Sequence, residues 1–130
     1  LLKKIFTVGL LTVGLVAGGA TAANAGRDVI GFTVTLPTFQ IPATAAKQKK
    51  AITNQAGYFS ATKIGANYNA DAEECGSALQ NCGTKVYNVY TGSARDLPNK
   101  LKKGAVAELK LRSSGFNAVK VTATGWWASN

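Results

Sequence analysis

In several short stretches of the chain, apolar and polar residues alternate with a period of two, the mark of half-buried strands. In DVIGFTVTLPTF, Ile30, Phe32, Val34 and Leu36 share one face, with Gly31, Thr33 and Thr35 on the other. Pro37 and Pro42 end this element or confine it to an edge, because proline has no N–H to give to a ladder. GYFSATKIGANYNA has strand composition with Thr62, Ile64 and Tyr68 in phase, and TKVYNVYT is β-branched and aromatic. AVAELKL alternates cleanly, with Ala105, Ala107, Leu109 and Leu111 inward and Val106, Glu108 and Lys110 outward. RSSG is turn chemistry, and FNAVKVTATGWW reads as the last strand.

Two stretches break the pattern. ATAAKQKKAITNQAG is Ala-rich and basic with no apolar stripe, which predicts a short surface helix stopped by Gly57, or a loop, over residues 43–56. ARDLPNKLKKG reads as a polar turn region. Short strands with no long helical period predict an all-β fold: a small antiparallel sandwich, or a partly open barrel, of about five to seven strands.

The adjacent tryptophans near the end of the chain are informative in this frame. Neighbouring side chains of a strand point to opposite faces, so Trp126 and Trp127 do not share one core. Val119, Val121, Ala123, Gly125 and Trp127 form the core phase; Ala118, Lys120, Thr122, Thr124 and Trp126 form the solvent phase. A bulge at Gly125 would exchange the two rings. Without one, Trp127 packs with Val119, Val121 and Leu109. Trp126 then lies outside beside Lys120, where an indole can stack on a sugar or sit at a lipid headgroup.

The beginning of the chain follows a different logic. Lys3 and Lys4 precede an apolar run from Ile5 to Ala17, and small residues lead to Ala23-Asn24-Ala25. This is the layout of a secretory signal, with cleavage expected between Ala25 and Gly26, or alternatively after Ala22. A spanning helix needs about 20 predominantly apolar residues, more than this run supplies. The expected organisation is a helical leader, residues 1–25, followed by one exported domain, residues 26–130.

Removal of the leader takes two lysines and leaves 13 basic against 6 acidic residues, a net charge of +7. A strongly basic chain commonly meets nucleic acid, but export points instead to anionic wall polymers or membrane surfaces. Two basic clusters carry much of the charge: Lys47, Lys49 and Lys50, then Lys100, Lys102 and Lys103. Each alone reads as a wet loop; gathered at one end of a sandwich they would form a single patch.

Cys75 and Cys82 are the only cysteines, and in an exported chain they are expected to form a disulfide. The spacing is wrong for a two-residue redox motif, and a structural zinc site needs more ligands. The chain has no histidine, which removes His-based triads, His general bases and His-ligated metals. The acids are Asp28, Asp71, Glu73, Glu74, Asp96 and Glu108. Only DAEE clusters three of them; it lacks the order of a known calcium loop and reads as a solvated acidic turn. No catalytic residue, cofactor site or metal site is expected.

The whole-chain layout resembles short exported β-proteins of Gram-positive bacteria, a group that includes lactococcin-type bacteriocins. The shared features are the leader, the small basic mature chain, alternating strands and an aromatic ending. The cysteine pair and the central basic segment have no matching feature there, so no functional residues carry over. Two classes of function fit. One is a secreted cationic protein that binds anionic envelope material, a bacteriocin-like antagonist being one form. The other is a passive extracellular surface or matrix module.

Overall fold

A computed structural model describes residues 29–115 and 118–130. The expected leader, its cleavage positions Ala25 and Gly26, and Asp28 lie outside the described residues. Among the described residues there are eight strands: β1 (Ile30–Leu36), β2 (Ala43–Lys49), β3 (Gly57–Ile64), β4 (Ala70–Cys75), β5 (Val86–Val89), β6 (Ala94–Leu97), β7 (Val106–Ser113) and β8 (Val121–Ala128). They form two four-stranded antiparallel sheets, a first in the order β1-β8-β3-β6 and a second in the order β2-β7-β4-β5. Only β4 and β5 follow each other within one sheet; every other connection crosses to the opposite layer. The fold is the β-sandwich that the alternation predicts.

The core is the set of inward phases. From the first sheet come Phe32, Leu36, Phe59, Val121, Ala123 and Trp127; from the second, Ala70, Ala72, Val89, Ala107, Leu109 and Leu111. Phe32 and Phe59 stack with centroids 5.9 Å apart. Gly125 pairs with Phe32 on one side and Ala61 on the other. A Cβ at Gly125 would stand 2.1 Å from Ser60 O and 3.0 Å from Phe32 Cζ, so only glycine fits. The close approach of backbone to backbone here is the reason for a glycine mid-strand.

Five local expectations are corrected. Residues 43–56 begin as an edge strand, β2, and are neither helix nor loop at that point; Gly57 opens β3 and does not cap a helix. A register shift between Thr44 and Ala46 breaks the period of two, and both Ala45 and Ala46 pack against the core. The stripe is therefore made of alanines and interrupted, and the ladder to β7 decides the conformation. ARDL is likewise a strand, the short edge β6 paired with β3. These two hidden edges, together with β4 in the segment expected to be an acidic turn, bring the five legible strands to eight.

The third correction is in β3, where a shift between Ala61 and Lys63 leaves Thr62 exposed while Ile64 is buried, so the two are not in phase. The bulge that was conceivable at Gly125 thus sits on the neighbouring strand, and the register of β8 with β1 is unbroken. Fourth, Val119 is 48% exposed, because the ladder begins only at Val121 opposite Leu36. Fifth, DAEE is no solvated turn: Asp71, Glu73 and Glu74 are all buried within β4.

Candidate functional site

The tryptophans divide as the strand phase requires. Trp127 is fully buried and Trp126 is 52% exposed. Lys120 is exposed but six positions back, roughly 20 Å along an extended strand, and is no neighbour of Trp126. What adjoins the exposed indole is Gly31, its register partner on β1. Around it the outer face of the first sheet carries hydroxyls: Thr33 and Thr124 lie opposite each other with Oγ1 atoms 3.5 Å apart. Tyr58 is a diagonal neighbour across β3, two positions from the Trp126 partner Ser60.

The second sheet presents a different outer face. Glu108 lies between Lys47 and Lys110, with Nζ atoms at 3.7 and 2.9 Å from its carboxylate oxygens. Lys110 also donates to Thr44 Oγ1. Arg112 donates to Glu73 at 2.8 Å, and Asp71 accepts from Ser114 Oγ and the Asn88 N–H. Acid meets base across these strands, so this face is covered by a balanced network.

The two basic segments, far apart in sequence, meet at one end of the sandwich. Lys50 N–H donates to Ala105 O at 2.8 Å and Gly104 N–H to Lys50 O at 2.9 Å. Asn54 N–H donates to Leu101 O, and Lys103 N–H to Thr53 Oγ1. Lys49, Lys100, Lys102 and Lys103 are exposed there, with Lys47 one strand repeat away. Neither 47–56 nor 98–105 contains an acid. The same end receives the close of β8, since Ile52 N–H donates to Asn130 O.

Lys50 itself does not belong to that surface, which corrects its place in the basic cluster. Its side chain is buried, with Nζ donating to Gln55 O and Ser129 O at 2.6 Å each. Nζ also lies 3.6 Å from Glu74 Oε2, and Trp127 Nε1 donates to Glu74 Oε1 at 3.2 Å. Glu74 is inward because it continues the phase of Ala70 and Ala72. Burial pushes its carboxyl up to about 7, against the pull of Lys50 and the Trp127 hydrogen bond. Burial likewise lowers the Lys50 ammonium below its usual range, with Glu74 opposing. This buried pair was hidden in the sequence; the phase of Ala70 and Ala72 was the signal for it.

Cys75 and Cys82 are bonded to each other. Glu73 comes close to both sulfurs, but a disulfide offers no thiolate to a metal. The bridge closes the short excursion 76–81, where Gly76 N–H donates to Gln80 O. No family model, curated protein or solved structure matches this chain.

Proposed function

We propose that the protein is exported and acts by binding anionic cell-envelope material through its lysine-rich end, as a non-enzymatic cationic module. The observation that carries this reading is the lacing of 50–54 to 101–105 by backbone hydrogen bonds, which concentrates Lys49, Lys100, Lys102 and Lys103 at one end. Positive charge gathered on one surface draws polyanions and raises their association rate, in a manner that salt suppresses. Lys47 and Lys110 on the second sheet face are engaged by Glu108.

The test uses secreted protein purified from culture medium. It is pelleted with bacterial walls before and after extraction of their anionic polymers, and with neutral and anionic vesicles, over a range of salt. Growth of the exposed bacteria is scored in parallel, which separates an antagonist from a passive binder. The expected result is pelleting that weakens as salt rises, as anionic polymer is removed, and in Lys49→Ala/Lys102→Ala/Lys103→Ala. Pelleting indifferent to all three would overturn the reading.

A further inference from the structure

The outer face of the first sheet has a chemistry distinct from the lysine-rich end it adjoins. A Cβ built on Gly31 would lie 3.3, 3.6 and 3.7 Å from the indole atoms Cζ3, Cε3 and Cη2 of Trp126. Three adjacent ring atoms at nearly equal distance mean that one face of the indole is seated on the Gly31 position. An edge-on approach to Cζ3 would leave its two neighbours much farther away. With Trp126 half-exposed, the opposite face is turned to solvent. The ring is thus backed by the strand beside it and presents a fixed apolar plane.

Beside that plane runs a shallow groove lined by Gly31, Thr33, Thr62, Thr124 and Trp126. Its polar atoms are threonine hydroxyls, each able to donate and accept. Thr62 reaches the surface only because of the bulge in β3. The charged residues exposed on the strands of this face are Lys63 and Asp96, of opposite sign. A polyanion finds little complement here. A pyranose ring, with an apolar C–H face and a rim of hydroxyls, matches an indole plane edged by hydroxyls.

We propose that this face is a carbohydrate platform on which the open side of Trp126 stacks against a pyranose ring of a glycan, while Thr33, Thr62 and Thr124 hydrogen-bond its hydroxyls. The proposal deepens the envelope-binding reading and rests on it for the polymer's location: the ring would be held on the sheet, and its anionic substituents by the lysines at the adjoining end. The indole partner is uncharged sugar, so the two contributions are separable.

Cellohexaose and chitohexaose, two soluble neutral oligosaccharides, are titrated by calorimetry into the intact secreted protein. At least one is expected to bind, with Trp126→Ala weakening it about tenfold or more. Trp126→Phe should retain part of the affinity, and Gly31→Val, which displaces the ring from its seat, should lose most of it. Far-UV circular dichroism confirms that each variant is folded. Lys49→Ala/Lys102→Ala/Lys103→Ala should bind the oligosaccharides unchanged while pelleting less with walls. Failure of both oligosaccharides to bind, or equal binding by Trp126→Ala, overturns the platform and leaves the cationic reading standing. Loss of vesicle pelleting in Trp126→Ala with oligosaccharide binding intact would assign the indole to lipid and overturn it as well. Oligosaccharide binding alongside salt-indifferent wall pelleting would instead overturn the cationic reading alone.

Discussion

Trp127 Nε1 donates a hydrogen bond to Glu74 Oε1 across the interior of the sandwich, tying β8 of one sheet to β4 of the other at 3.2 Å. The bond gives the largest buried side chain a polar anchor, and it gives a buried carboxylate a hydrogen-bond donor beside the Lys50 ammonium, which lies 3.6 Å away. A buried indole N–H needs such a partner. Trp127→Ala is therefore expected to cost about 3–5 kcal/mol in equilibrium urea unfolding. Trp126→Ala, at a half-exposed ring, should stay within about 1 kcal/mol of the parent. A reversed order would mean that the phase of β8 is wrong.

The Lys50–Glu74 pair predicts asymmetry between its single variants. Lys50→Met strands a carboxyl in the core and is expected to cost about 3–5 kcal/mol at neutral pH. Lys50→Met/Glu74→Gln, which buries no charge, should recover much of that loss. A double-mutant cycle by urea unfolding measures the coupling; additive effects would rule out a working pair.

The raised carboxyl also fixes a pH dependence. Glu74 is held up to about 7 in the folded state against an ordinary value of 4.5. Between those values the native chain holds a proton that the unfolded chain has released. Stability from this group is thus fully present below about 4.5 and is lost as pH rises through 7. The parent should be more stable at pH 5 than at pH 8 in this respect, and Glu74→Gln should remove that part of the slope. Urea midpoints measured across the range decide it, and an unchanged slope in the variant would contradict the assignment.

Two glycines should respond very differently to a methyl group. Gly125→Ala drives a Cβ against the Ser60 carbonyl, with the buried Phe32 ring also in contact and no room to yield. A loss of several kcal/mol is expected, on the order of other overpacked cores. Gly31→Ala meets only the face of a half-exposed indole, a side chain that can shift toward solvent, and should cost far less. Thermal unfolding of the pair provides the comparison.

Reduction of Cys75–Cys82 should free the short excursion 76–81 while leaving both sheets intact. The cost is expected to be about 2–3 kcal/mol, because the closed loop is short. Far-UV circular dichroism with and without reductant, followed by urea titration, tests both statements. Global unfolding on reduction would show that the bridge supports more than its own loop.

The sequence made β1, β7 and β8 legible because their inward positions, with large apolar residues among them, keep a period of two that no bulge in those strands interrupts. β2 escaped notice because its inward positions are alanines displaced by a register shift. β6 escaped because four residues at an edge take their conformation from β3 rather than from their own composition. The threonine groove was unreadable for a similar reason, since the bulge that exposes Thr62 exists only in the paired strand. Lys50 looked like one more surface lysine. Its burial depends on carbonyls of residues 55 and 129, and no local pattern announces that convergence.

The segregation of charge has a mechanical consequence. Acids and bases offset one another over the second sheet, while Lys49, Lys100, Lys102 and Lys103 gather at one end, so exposed positive charge is distributed unevenly along the strands. Near a negatively charged surface such a body feels a torque as well as an attraction. In the proposed envelope binding, the lysine-rich end would lead, with the strands upright. Successive molecules would then stand side by side with the exposed edges of β1 and β2 lateral, and coverage at saturation would follow the cross-section of the sandwich rather than its length.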